Sequence, residues 1–172
     1  EREYVWSITG AEAIDAKIRD MILSAKDHVW IKASEGRLEP HVEALRQVVA
    51  QGVEVLIILF GENPERFDFG GRTRVYLHEG NGVPVGIAPH LITITRDFEE
   101  ALVADLRGEA HGSYTRNKPV VTMADTLIRH EIYFAEIFER LGPEIQEIFG
   151  PALIELRRKY LPKDQAAALE RL

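Results

Sequence analysis

The sequence predicts an α/β fold: a mixed, mostly parallel sheet flanked by helices, with further helices at the C-terminal end. Three observations carry this. Short β-prone runs alternate with stretches whose apolar residues recur at helix spacing. One run, Val53-Glu54-Val55-Leu56-Ile57-Ile58-Leu59-Phe60, is almost unbroken apolar between Gly52 and Gly61, the pattern of a strand covered on both faces. From about Thr122 onward the periodicity is helical.

The first run, Tyr4-Val5-Trp6-Ser7-Ile8, is β-prone, and Gly10 separates it from Ile14, Ile18, Met21, Ile22 and Ala25 at helix spacing. His28-Val29-Trp30-Ile31-Lys32-Ala33 is the second run, followed by Val42, Leu45, Val48 and Val49 and a stop at Gly52. Three strands joined by two helical crossovers predict parallel pairing, with ligand loops beyond the carboxyl ends of the strands. Residues 61–74, with Asn63-Pro64 and Gly70-Gly71, read as a surface loop. Short β-prone pieces follow at 75–78 and 83–87. Residues 90–95 and 101–106 then flank a turn as an antiparallel hairpin. The helical pattern from Thr122 to Leu141 should break at Gly142-Pro143, resume with Gly150-Pro151 inside it, and run to Tyr160. A last amphipathic turn or two follows Pro162.

A chain of 172 residues suffices for one domain with a real core. Its net charge of −7 repels a phosphate backbone, so DNA is expected as a partner only through an N-terminal domain preceding this piece. The chain starts at Glu1, and such a preceding segment is expected. The sequence contains no cysteine, which excludes disulfides and thiol nucleophiles and fits the cytoplasm. No apolar run approaches the roughly 20 residues of a membrane span, so no membrane partner is expected.

His90, Asp97, Gly112-Ser113 and Asn117 together resemble the phospholipase D signature. In that superfamily the histidine is the nucleophile, and a lysine two positions on neutralises phosphoryl charge; here that position is Ile92. No second copy of the motif is visible. The expectation is therefore no phosphodiesterase activity, no catalytic residue and no enzyme, with a phospholipase D-like phosphodiesterase acting as a dimer as the alternative. A purely structural reading has His90 opening a strand after Pro89 and Asp97 making the hairpin turn.

Longer stretches carry a family resemblance. Tyr4-Val5-Trp6-Ser7-Ile8-Thr9-Gly10, Gly52-Val53-Glu54-Val55, Ser113-Tyr114-Thr115-Arg116-Asn117 and Arg129-His130-Glu131-Ile132-Tyr133 resemble the regulatory half of TrmB-type transcriptional regulators, up to about Leu141. The resemblance implies an N-terminal winged helix-turn-helix, followed by a phospholipase D-like domain that has lost its catalytic residues and binds an effector. It implies a small-molecule partner, a sugar or other small polar metabolite. The β-rich lobe of sugar-sensing members has no counterpart here. The expected organisation is 1–141 as the effector-binding domain and 142–172 as a helical extension for packing or dimerisation.

The effector pocket is expected among Glu35 and Arg37 after the second strand, Glu62 and Asn63 after the third, His90, and Tyr114, Arg116 and Asn117. Glu131 joins them. A helical wheel places it near the middle of an apolar arc of Met123, Ala124, Leu127, Phe134, Ala135, Phe138 and Leu141, where an unpaired carboxylate is costly. It must face a ligand cavity, anchor an arginine such as Arg116, or sit in an internal ion pair. His130-Glu131 begins the zinc-peptidase spelling, but Phe134 stands where the second histidine belongs. No metal and no cofactor are expected. The apolar stripe of Ile145, Ile148, Phe149, Leu153, Leu156 and Tyr160 predicts a homodimer contact after Gly142.

Overall fold

The computed structural model describes residues 4–169, so the outermost residues of both expected segments, 1–3 and 170–172, lie outside the described residues. Among the described residues, seven strands form one sheet: β1 (Val5–Thr9), β2 (His28–Ser34), β3 (Glu54–Phe60), β4 (Thr73–Leu77), β5 (Leu91–Arg96), β6 (Glu100–Asp105) and β7 (His111–Thr115). Their spatial order is β1-β7-β6-β5-β2-β3-β4. The pairs β2–β3 and β3–β4 are parallel and the other four antiparallel. In sense, β1, β2, β3, β4 and β6 run together against β5 and β7. The sheet is α/β and mixed, as the sequence reading has it, but it is not mostly parallel by pairing, because β5, β6 and β7 form a meander of antiparallel hairpins.

Two local expectations are corrected. Strand β1 does not pair with β2; it lies at the far edge against β7, because the meander β5-β6-β7 inserts between them. Residues 83–87 form no strand: Pro84 lacks an amide donor, and Gly82 and Gly86 take positive φ. The expected hairpin forms, with Asp97 and Phe98 left-handed in its turn and the Glu99 amide donating to the Arg96 carbonyl at 2.9 Å.

Helices α1 (Ala11–Leu23) and α3 (Val42–Ala50) cover one sheet face, with the four-residue α2 (Glu35–Leu38) between β2 and α3. Their apolar stripes close the main core. Ile14, Ile18, Leu45 and Val48 pack there against Val29, Ile31, Val55, Ile57, Ile92 and Ile94. The other face carries α4 (Lys118–Phe149) over a far smaller apolar cluster of Trp30, Ile58 and Ile128.

Helix α4 differs from expectation twice. It does not end at Gly142-Pro143 but passes through a kink at Leu141 (φ −125°, ψ 18°), the bend a proline ring imposes on the preceding turn. The larger part of the expected apolar arc does not face the sheet either. Met123, Leu127, Phe134 and Leu141 are exposed, and Ala135 is the arc member that is buried, beside Val121, Asp125 and Ile128. The polar groups of the sheet beneath select the more mixed stripe. Beyond Gly150, α5 (Ile154–Tyr160) and α6 (Lys163–Leu169) follow. Arg157 of α5 donates to the Ala152 carbonyl at 2.6 Å and pairs with Glu79, tying the extension to the turn after β4.

Candidate functional site

Strands β2 and β3 end side by side, and their following loops are bound to each other. The Glu35 carboxylate accepts the amides of Glu62 and Asn63, both at 2.8 Å, and the Asn63 side chain. The Asn63 amide foremost holds this carboxyl below the ordinary glutamate range. Close approach demands glycine here. A Cβ on Gly61 would stand 2.3 Å from Glu35 Oε1, and one on Gly82 2.0 Å from the Gly61 carbonyl oxygen. Glu35, Glu62 and Asn63 are thus brought together at the carboxyl edge, with the carboxylate engaged by the loop.

The same edge gathers a second group. Arg37 donates to the Leu106 carbonyl at 3.4 Å, and the Leu106 amide donates to the His90 carbonyl at 3.3 Å. Exposed His90 borders a hollow of about 420 Å³ shared with Ile87, Arg107 and, from α6, Asp164 and Gln165. Arg107 is held by Asp105, its Nη2 at 2.6 Å, and this bidentate contact keeps the Asp105 carboxyl well below the ordinary aspartate range. The hollow has the size of a small-ligand site and offers an imidazole, a guanidinium, a carboxylate and an amide.

Glu131 lies at this end of the sheet too, but beneath α4. Its Oε1 accepts from Lys32 Nζ at 2.8 Å, and its Oε2 lies 3.1 Å from His78 Nε2. Burial alone would raise its pKa; the contacts with His78 and Lys32 outweigh that and set it at about 2. His78 stacks on Phe60 with ring centres 4.3 Å apart. Of the readings open in the sequence, the structure shows the internal ion pair, with Lys32 and not Arg116.

The remaining expected residues do not join this edge, and the single pocket spanning all of them is corrected. Tyr114 is level with Ile31 in mid-sheet, where its hydroxyl donates to Glu100 on the α1 side. Arg116 lies at the opposite edge, 4.0 Å from Glu99 in the β5–β6 turn. Asn117 caps α4 there, accepting from the Val120 amide. Because β7 runs against β2, the end of β7 is the edge where β2 begins.

Two motif positions are built into the framework. Asp97 accepts the amides of Lys26, Asp27 and His28 at 2.8–2.9 Å and a guanidinium N–H of Arg96 at 3.1 Å. Burial would raise its pKa, but these donors hold it below the ordinary value. Ile92 is fully buried in the main core. Sequence reasoning missed Lys32, His78 and Arg107. For Lys32 a signal existed, since a lone cation inside an otherwise buried strand needs a carboxylate. His78 and Arg107 carried none.

A seven-stranded mixed sheet with helices on both faces, with His90 and Asp97 at the two ends of β5, is a phospholipase D-like fold. The structure resembles NucT from Helicobacter pylori (TM-score 0.65, 15% identity, 77% of this chain and 97% of that one). It also resembles Nuc from Salmonella typhimurium, a phospholipase D family member (TM-score 0.55, 14% identity, 75% and 91%). TrmBL2, an archaeal chromatin protein with a novel mode of DNA binding, shares the fold as well (TM-score 0.58, 16% identity, 73% and 50%). The family described as "Transcriptional regulator TrmB, EBD N-terminal subdomain" matches residues 4–139, where EBD denotes the effector-binding domain. The chain belongs to this family. It is 28% identical over 163 residues to YrhO of Bacillus subtilis, covering 93% of this chain and 58% of that protein's length.

One expectation is corrected by these likenesses. The sequence alone points away from an enzyme, yet the structural neighbours include a phospholipase D family member, so the exclusion of catalysis is withdrawn. Among the described residues, no helix is long and apolar enough to cross a membrane.

Proposed function

We propose that this sensing domain of a transcription regulator binds a small polar metabolite in the hollow beside His90 and self-associates as a homodimer. The observation that carries the reading is the convergence of His90, Arg107, Asp164 and Gln165 on about 420 Å³ at the carboxyl edge of the sheet. Groups of both signs suit a ligand with hydroxyls and an acidic group, such as a sugar phosphate or a hydroxy acid. Arg37 supports the floor through Leu106, and Glu35, Glu62 and Asn63 brace the neighbouring loops. Effector binding bridges the sheet edge and α6, and it changes the orientation of the two subunits to the extent that the ligand prefers one arrangement. DNA is reached through another part of a longer cytoplasmic regulator.

Thermal-shift measurements against sugars, sugar phosphates, nucleotides and organic acids test the site. A ligand present at about 100 times its Kd stabilises by about 2.7 kcal/mol. His90→Ala and Gln165→Ala should lose most of that shift without lowering the unliganded midpoint. A ligand that stabilises wild type and both variants equally places the site elsewhere.

A further inference from the structure

The outer face of α4 carries an apolar seam that the fold does not use. Met123, Leu127, His130, Phe134, Ile137 and Leu141 follow one another at alternating steps of four and three, the heptad spacing by which one straight helix packs along another. The five apolar members are 46% to 66% exposed, and Tyr133 on their flank is equally open. Beside them runs a groove of about 640 Å³ lined by Ile132, Tyr133, Ile137 and Leu141, with Glu136 and Arg140 among them. The sheet holds the opposite stripe of the helix, through Ile128 and the Glu131–Lys32 pair, so α4 cannot roll to bury this one.

We infer that this seam is the dimer interface, with α4 of a second copy packed antiparallel across a two-fold axis near residue 132. The inference rests on the dimerisation proposed above and gives its contact surface. The spacing is its own complement: about that axis Met123 meets the partner's Leu141, Leu127 the partner's Ile137, and His130 the partner's Phe134. The polar seam member selects this direction. Parallel packing in register would set His130 against the partner's His130, whereas antiparallel packing sets it on the partner's Phe134 and brings Arg140 near the partner's Thr126. No carboxylate occupies a seam position between Met123 and Leu141; of the two that flank it, Glu131 is turned inward by Lys32 and Glu136 lies 3.9 Å from Arg140. The area suffices. Large side chains carry roughly 150–250 Å² each, so six of them about half exposed give on the order of 600 Å² per copy and 1,200 Å² per dimer, above the roughly 1,000 Å² a specific interface needs.

The cysteine-free chain allows a direct test. Leu127 and Ile137 are about 15 Å apart on one helix, too far for a disulfide within a chain. Under mild oxidation the double variant Leu127→Cys, Ile137→Cys should form a covalent dimer, while each single variant should not. A single variant that links as readily refutes the antiparallel direction. A double variant that stays unlinked while dimeric by sedimentation equilibrium refutes the seam and leaves dimerisation standing. A wild type that is monomeric at micromolar concentration refutes both. Phe134→Glu with Ile137→Glu, at exposed positions, should weaken the dimer by roughly 100-fold or more with an unchanged circular dichroism spectrum; undiminished association in that variant also overturns the inference.

Discussion

On the α1 and α3 side of the sheet, Val29, Ile31, Val55 and Ile57 meet Ile14, Ile18, Leu45 and Val48, with Tyr114 and Glu100 among the few polar groups. On the α4 side the alternate residues of the same strands are His28, Trp30, Lys32 and Ile58, joined by Thr95 of β5, beneath Asp125, Ile128 and Glu131. One face is held by non-directional burial, which any shape-matched apolar set satisfies. The other is held by specific partners. Burial pushes the His28 imidazole down and the Asp125 carboxyl up, the effect expected where charge is taken from water. The difference teaches that α4 is positioned by a few directional contacts, and that its own apolar residues are left for the outside.

The largest test of that contrast is Glu131→Ala. It leaves Lys32 and His78 facing each other without a carboxylate and should lower unfolding free energy by about 3–5 kcal/mol in denaturant titration. A loss below about 1 kcal/mol would show that α4 is held by packing after all. The pH dependence has a definite sign. With a folded pKa of about 2 against an ordinary 4.5, ionised Glu131 contributes stability that is fully present above pH 4.5 and lost as pH falls through 2. Over that window the wild type should lose about 3 kcal/mol more than Glu131→Gln.

On the opposite face, Leu45→Ala should cost about 3 kcal/mol, the transfer and cavity cost of a fully buried leucine. That cost should be the same at pH 4 and pH 7, since no titrating group touches the mechanism. A third variant probes the motif aspartate as a structural clasp. Asp97→Ala strands the amides of residues 26–28 and should cost about 1–3 kcal/mol, with faster amide hydrogen exchange at those residues. Unchanged exchange would deny the clasp. The smallest effect is Asn117→Ala, which removes the α4 cap and should cost about 1 kcal/mol in thermal unfolding.

Much of this is legible in the sequence itself. The alternation of β-prone runs with Ile14-Ile18-Met21-Ile22 and Val42-Leu45-Val48-Val49 determined β2, β3, α1 and α3, because both periods are set by backbone geometry within a few residues. The hairpin around Asp97 and the family were equally local readings. The place of β1, the face α4 turns inward and the partners of Glu131 were decided only by tertiary structure. Strand order depends on which edge a meander leaves open, and Val5 to Thr9 could not show that β5, β6 and β7 would stand between β1 and β2. The apolar arc of α4 pointed outward because the sheet beneath offers Lys32, and His78 lies beside it; burying Phe134 there would have left those groups without a carboxylate. His90 and Arg107 likewise came to one hollow only when β5 and β6 paired, Leu91 opposite Asp105, and α6 folded over them. Local periodicity is a property of the chain, whereas the choice of which face is covered is a property of what the rest of the chain brings to it.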